Sequence, residues 1–169
     1  AVVATTLPPA SYAQHFDTLS VCLSKGLGAP AGSLLMMNDL ALLDRAKRVR
    51  RMYGGAMRQS GILAAAGIYA LEHHIERLKD DHEHAKRLAR RLQQIPTVRV
   101  NAQDVETNII IFDVIGHRHN PATIVAALKQ EGLLINAIGG VSFRAVTHMD
   151  ISSTMTDEAC EIFARVLAN

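Results

Sequence analysis

A glycine-rich segment between two apolar runs constrains the fold of this chain more than any other sequence feature. The segment KGLGAPAG (residues 25–32) contains three glycines and one proline, which exclude regular secondary structure. Residues 18–24 (TLSVCLS) indicate a buried strand before it, and residues 32–37 (GSLLMM) indicate a second short strand after it. Lys25 therefore stands on a turn at a strand end, which is where α/β proteins hold their ligands.

The rest of the chain alternates helical and strand-like patterns. Asn38 is expected to cap a helix that ends near Met52, and the glycine pair 54–55 then breaks the pattern. Residues 57–94 are typical of a helix with few breakers, and Pro96 ends it. Further patterns predict strands over residues 98–100, 107–114, 133–136 and 142–146, and helices over residues 121–131 and 155–167.

This order predicts an α/β chain in three parts. Residues 1–55 are the incomplete end of a larger domain, residues 56–95 a long linking helix, and residues 96–169 a small α/β domain. Scarce aromatic residues and abundant Ala, Leu and Ile favour helices packed on a parallel sheet. An interior-type strand such as residues 18–24 needs neighbours on both sides, so we expect a further segment of the protein to precede this sequence.

Composition excludes several classes of protein. With 49% hydrophobic and 20% charged residues, the chain can bury a core and is not expected to be disordered. A net charge of +2 does not indicate a nucleic-acid partner, and no apolar run approaches the ~18 residues of a membrane span. Cys22 and Cys160 are expected to be reduced thiols in apolar surroundings, and we expect a cytoplasmic protein.

The residue types of the glycine-rich segment suggest covalent chemistry at Lys25. A lysine amine attacks an aldehyde once desolvation or a neighbouring cation lowers its pKa. The alternative is a solvated lysine on a flexible surface loop. The segment is not a phosphate-binding P-loop, because the order GxxxxGK[ST] is absent.

Longer motifs carry a resemblance to a known family. LSKGLGAPAGSLL and RRMYGGAMRQSGILAAAGIYAL, followed by DHEHAKRLA, TNIIIFDV, LLINA and FRAVTHMDIS, resemble the C-terminal half of the low-specificity L-threonine aldolases. The resemblance implies the C-terminal part of an α/β fold of the fold type I transferase kind, dependent on pyridoxal 5'-phosphate. It implies that Lys25 forms the Schiff base with this cofactor. The implied reaction is aldol cleavage of L-threonine or L-allo-threonine to glycine and acetaldehyde.

The same resemblance assigns three arginines. It implies that Arg144 holds the substrate carboxylate, for which a planar guanidinium is suited. It implies that Arg51 and Arg58 bind the cofactor phosphate of a neighbouring subunit, in a homodimer or homotetramer with a shared active site. Arg51 stands where the family often has lysine, and Ala56 where it usually has glycine. Without the resemblance, ordinary surface charge is the favoured explanation of Arg144 and the alternative explanation of Arg51 and Arg58.

The paired histidines at 73/74 and 82/84 suggest a metal site at first sight. Helical ligands need spacing of four residues and a further ligand from elsewhere, whereas these pairs point to different faces. We therefore expect solvated histidines and no metal.

The sequence also departs from the family. An aspartate for the pyridine nitrogen, a histidine stacked on the ring and a phosphate-binding loop normally precede the lysine, and this sequence contains none of them. We therefore expect the isolated chain to be inactive. The alternatives left open are a non-catalytic remnant that acts as an oligomerisation or binding module, and a related pyridoxal-phosphate enzyme that performs β-elimination or transamination on the same scaffold.

Overall fold

The chain folds into two compact units, Ala1–Leu78 and Lys79–Asn169, in a computed structural model that describes residues 1–116 and 120–168. The boundary lies at the start of a helix, within the range 56–95 in which a continuous linking helix was predicted. The two units are described separately below.

The first unit contains a β-hairpin among four helices. The helix that follows the hairpin is capped by Asp39, whose carboxylate accepts hydrogen bonds from the amides of Ala41 and Leu42, and the expectation that Asn38 is the cap is wrong. Aspartate adds a negative charge at the positive end of the helix dipole, which an asparagine side chain does not. The elements are α1 (Val2–Thr5), α2 (Pro9–Ala13), β1 (Thr18–Cys22), β2 (Ser33–Met37), α3 (Leu40–Met52) and α4 (Gly61–His73).

Strands β1 and β2 pair antiparallel, with Cys22 opposite Ser33 at the loop end. The prediction of a buried strand is wrong for this unit, since side chains of both strands are largely exposed. Cys22 is exposed as well, although it was expected in apolar surroundings. The apolar composition of these segments correctly indicated strands. It did not indicate their burial, because burial depends on which other segments pack against them.

The predicted single helix over residues 56–95 is wrong. The structure has two helices, α4 and α5 (Leu78–Leu92), and the chain turns between His74 and Leu78. No glycine or proline marks this turn in the sequence. Its cause is tertiary, because Ile75 and Leu78 pack against a buried cluster that contains residues of the glycine-rich segment.

The second unit is a four-stranded sheet with helices. All strand pairs among the described residues are antiparallel, in the order β3-β4-β6-β5, so the expected parallel sheet is wrong. The hairpin between β5 and β6 accounts for part of this, because Gly139 and Gly140 adopt positive φ and reverse the chain. After α5 come β3 (Val98–Arg99), a 3₁₀ turn (Ala102–Asp104), β4 (Ile109–Val114), α6 (Pro121–Gln130), β5 (Asn136–Gly139), β6 (Ser142–Val146) and α7 (Ser153–Leu167).

Helix α6 ends where predicted, with Gly132 at a φ of 88° just beyond it. Strand β5 begins at Asn136, where the predicted strand ended. Residues 133–135 form neither helix nor strand and connect α6 to β5, and the side chain of Ile135 is buried in the core.

Three phenylalanines lie at the centre of the second unit. The ring of Phe112 stacks on Phe143 and meets Phe163 edge-on, with both pairs of ring centroids 5.6 Å apart. Cys160 is buried beside them as expected, and burial raises the pKa of its thiol. The buried hydroxyl of Thr147 donates a 2.6 Å hydrogen bond to the main-chain carbonyl of Asp81 in α5. These contacts fasten β4, β6, α5 and α7 into one core.

In the described part of the chain, no helix has the length and apolar character needed to cross a membrane.

Candidate functional site

Lys25 opens a tight turn shortly after β1, from which it is separated by Leu23 and Ser24. The amide of Gly28 donates a 2.8 Å hydrogen bond to the Lys25 carbonyl, which closes a four-residue turn over Lys25–Gly28, called the lysine turn below. Gly28 has a φ of 68°, which a residue without Cβ adopts at no steric cost. The side chain of Lys25 is exposed.

The lysine turn is fastened to the rest of the first unit at its base. The amide of Ala29 donates to the Leu23 carbonyl at 2.9 Å, and the amide of Leu23 donates to Gly32 at 3.0 Å. Leu23, Leu27 and Ala29 are buried together with Ala70 of α4, and these four residues are called the anchor cluster. An exposed amine is thus carried on a backbone that has buried apolar anchors on both sides.

Close packing below the turn requires small residues. A Cβ added to Gly67 of α4 would lie 3.0 Å from Leu23 Cδ1, and one added to Gly26 would lie 3.0 Å from Leu78 Cδ2. No local sequence signal indicates this role for Gly67, which lies in a helix with no turn residues around it. Its role follows only from the approach of α4 to the anchor cluster.

The histidines differ from the expectation of solvated positions. His73 is exposed, but His74, His82 and His84 are partly buried, and burial lowers the pKa of His82. His74 Nδ1 lies 2.6 Å from the carbonyl oxygen of Leu27 in the lysine turn. No group of three metal-ligating side chains occurs among residues 1–116 and 120–168. His74 was missed because its partner is 47 residues away in sequence.

Arg51 and Arg58 flank the glycine pair that follows α3. Arg51 lies in the last turn of α3, where cations complement the helix dipole, and Arg58 lies in the turns before α4. Both are exposed. Gly54 has a φ of 75°, and a Cβ on Gly55 would lie 2.9 Å from Arg50 Cγ, so the sharp turn between the two arginines needs both glycines.

Arg144 lies on β6, opposite Ile111 of β4 and Asn136 of β5. Its neighbours Phe143 and Ala145 are buried, whereas Arg144 is exposed. Because side chains alternate along a strand, Arg144 stands on the sheet face opposite the core. This face is therefore available for a ligand with negative charge.

The four predicted site residues divide between the units. Lys25, Arg51 and Arg58 belong to the first, and Arg144 to the second. Their chemistry suits pyridoxal 5'-phosphate, since an accessible amine fits its aldehyde and guanidinium groups fit its phosphate. The anchored backbone below Lys25 is the structural observation that supports this fit, because it leaves the amine exposed on a fixed turn.

Comparison with known proteins identifies the class. A family model described as beta-eliminating lyase matches residues 1–115, and the chain belongs to this family.

Within this family, the chain is similar to low-specificity threonine aldolases. The chain is 40% identical over 168 residues to the low specificity L-threonine aldolase of Escherichia coli K12, which covers 99% of this chain and 48% of that protein. It is 37% identical over 155 residues to low-specificity L-threonine aldolase 1 of Arabidopsis thaliana, covering 91% of this chain and 43% of that protein. The chain thus spans about half the length of the curated relatives it matches. The predicted resemblance to low-specificity threonine aldolases is confirmed, and these matches do not favour a non-catalytic binding module.

Solved structures confirm the fold. A candidate L-allo-threonine aldolase from Listeria monocytogenes superposes with a TM-score of 0.77 at 19% identity, over 98% of this chain and 49% of that one. The serine palmitoyltransferase of Sphingomonas wittichii gives 0.70 at 16% identity, over 90% of this chain and 40% of that one. The predicted fold, part of the fold type I α/β architecture, is therefore confirmed. The individual roles of Lys25, Arg51, Arg58 and Arg144 stay predictions.

Proposed function

We propose that this protein is a pyridoxal-phosphate-dependent carbon–carbon lyase that cleaves L-threonine and L-allo-threonine to glycine and acetaldehyde. The observation that carries the proposal is an exposed lysine on an anchored turn, in a chain 40% identical to a threonine aldolase. Since the chain spans about half of such relatives, the proposal concerns the activity of the whole protein.

Lys25 would hold the cofactor through its amine. The lysine turn fixes the carbonyl of Lys25, and the hydrogen bonds of Leu23 hold the main chain just before it, so little backbone entropy is lost when the amine engages an aldehyde. When bound, the cofactor withdraws electrons from the α-carbon of an amino acid. Arg144 would orient that amino acid, because its guanidinium can grip an α-carboxylate with two parallel hydrogen bonds.

The partner subunit is the second part of the proposal. Arg51 and Arg58 would bind the cofactor phosphate of a second copy in a homodimer or homotetramer with shared sites. Helix α4 supports association, because it is apolar on all sides and yet Ile62, Ile68 and Tyr69 are 79%, 57% and 58% exposed. A helix of this composition is normally buried. We also propose a cytoplasmic location, where the free thiols of Cys22 and Cys160 would stay reduced.

The cofactor assignment is tested by locating the modified lysine. The protein is incubated with pyridoxal 5'-phosphate, reduced with borohydride and digested for peptide mass spectrometry. We expect the label on Lys25, its loss in Lys25→Ala and its retention in the control Lys86→Ala, which removes an exposed lysine of α5. Acetaldehyde release from L-threonine should be lost in the same variant. A label on another lysine, or none, contradicts the proposal.

The shared site is tested by mixing two inactive variants. Lys25→Ala and Arg58→Ala protomers are unfolded together, refolded and assayed. If each site uses Lys25 of one copy and Arg58 of the other, random pairing leaves about a quarter of all sites intact. If both residues serve the same copy's site, no activity returns. Mixing Lys25→Ala with Arg144→Ala then shows which copy supplies the arginine for the carboxylate.

A further inference from the structure

The imidazole of His74 contacts the lysine turn from the end of α4. Its Nδ1 lies 2.6 Å from the carbonyl oxygen of Leu27, the third residue of the turn. Because a carbonyl only accepts, Nδ1 carries the proton and donates it. We infer that His74 is a positioning residue, which holds the lysine turn so that Lys25 meets the cofactor in a fixed orientation. This inference rests on the proposed function of Lys25.

Leu27 transmits the effect of His74 to Lys25. Its side chain is buried in the anchor cluster and its carbonyl is bound by His74, so both ends of this residue are fixed. One residue, Gly26, separates Leu27 from Lys25, and the next amide, that of Gly28, closes the turn on the Lys25 carbonyl at 2.8 Å. A shift of Leu27 would therefore move the lysine main chain directly.

The ring of His74 is itself oriented by an aromatic contact. Tyr69 of α4 meets it edge-on, with ring centroids 5.4 Å apart and planes at 85°. The same tyrosine lies 4.3 Å from the ring of His73, which is exposed. The two adjacent histidines thus share an aromatic neighbour, whereas the 2.6 Å contact with the lysine turn belongs to His74. His73 is a matched control.

Three substitutions separate the hydrogen bond from the ring. His74→Phe keeps an aromatic ring beside Tyr69 and removes the donor. His74→Asn keeps a donor close to the position of Nδ1, whereas His74→Gln places its amide one bond further out. His73→Phe changes the neighbouring ring and leaves the contact with Leu27 in place.

Two measurements follow the turn with and without cofactor. The first is hydrogen exchange of the Gly28 and Ala29 amides, which both donate within this segment. The second is the fraction of Lys25 labelled by limiting pyridoxal 5'-phosphate and borohydride, relative to Lys86. A net hydrogen bond corresponds to roughly 3- to 10-fold in an equilibrium, so we expect exchange to rise and Lys25 labelling to fall by about that factor in the Phe and Gln variants. The Asn variant and His73→Phe should match the wild type.

The outcomes distinguish this inference from the proposed function. If Lys25 is not labelled in the wild type, the proposed function fails. If Lys25 is labelled equally in the wild type and all His74 variants, His74 does not position it and the proposed function stands. If His74→Phe does not fold, the comparison of His74→Asn with His74→Gln decides. The inference requires Lys25 labelling to stay at the wild-type level in His74→Asn and to fall in His74→Gln. Equal labelling of Lys25 in these two variants overturns it.

Discussion

Replacing Phe112 by leucine should weaken the second unit more than the same change at either neighbouring phenylalanine. Phe112 is the middle ring of the three and contacts both Phe143 and Phe163. Each aromatic pair contributes about 0.5–1.5 kcal/mol beyond burial. The imperfect fit of leucine adds up to about 1.5 kcal/mol. We therefore expect Phe112→Leu to lower the free energy of unfolding by about 1–4.5 kcal/mol. Phe143→Leu and Phe163→Leu lose one pair each and should lower it by about 0.5–3 kcal/mol.

Native-state hydrogen exchange is the suitable assay, because a chain of two units need not unfold in one step. The slowest amides of β4 and β6 report the free energy of opening of the second unit, in the wild type and in each variant. A control, Tyr69→Leu, changes an aromatic residue of the first unit and should leave these amides unaffected. Equal losses in all three phenylalanine variants would show that ring contacts do not add to burial here.

Three further predictions concern the second unit. The hydroxyl of Ser142 at 2.5 Å, and then the guanidinium of Arg99 at 2.9 Å, lower the pKa of Asp113 below 3.8. The stabilisation by ionised Asp113 is therefore present above pH 3.8 and is lost as the pH falls through the lowered pKa. Measured by hydrogen exchange, Asp113→Asn should be less stable than the wild type at neutral pH and equal to it in strong acid. By the same exchange assay, Gly132→Ala should lower the free energy of opening of the second unit by about 1 kcal/mol, because Gly132 has a φ of 88°. An unchanged free energy would show that the helix end rearranges. Thr147→Val should lower the same free energy by about 1 kcal/mol, since it removes the 2.6 Å hydrogen bond to α5. Unchanged exchange of the β4 and β6 amides would contradict this.

Local sequence signals located most of the elements. Periodicity placed α3, α6, β6 and α7 within two residues of their observed bounds, because these elements are either amphipathic or closed by clear caps. Strand β5 was misplaced because residues 133–136 are apolar for a different reason, which is insertion of Ile135 into the core. The break between α4 and α5 was also missed, because no glycine or proline in the sequence indicates it.

In the candidate site, too, some features were predictable from the local sequence and others were not. The order of lysine and glycines in KGLGAPAG indicated the lysine turn, because Gly28 and Gly32, which adopt positive φ, both lie in this short segment. The hydrogen bond from His74 and the space kept by Gly67 left no such mark. Both depend on residues more than forty positions away from the turn.

The sequence by itself therefore determined the family, the strand that ends at a lysine turn, and the residue types suited to an aldehyde, a phosphate and a carboxylate. These properties are encoded locally, in spacing and in backbone preference. Only the tertiary structure decided that the sheets are antiparallel, that the helical stretch divides at His74, and which side chains anchor the lysine turn. The reason is physical: pairing direction and side-chain contacts depend on the packing of segments distant in sequence, and a local pattern does not specify its distant partner.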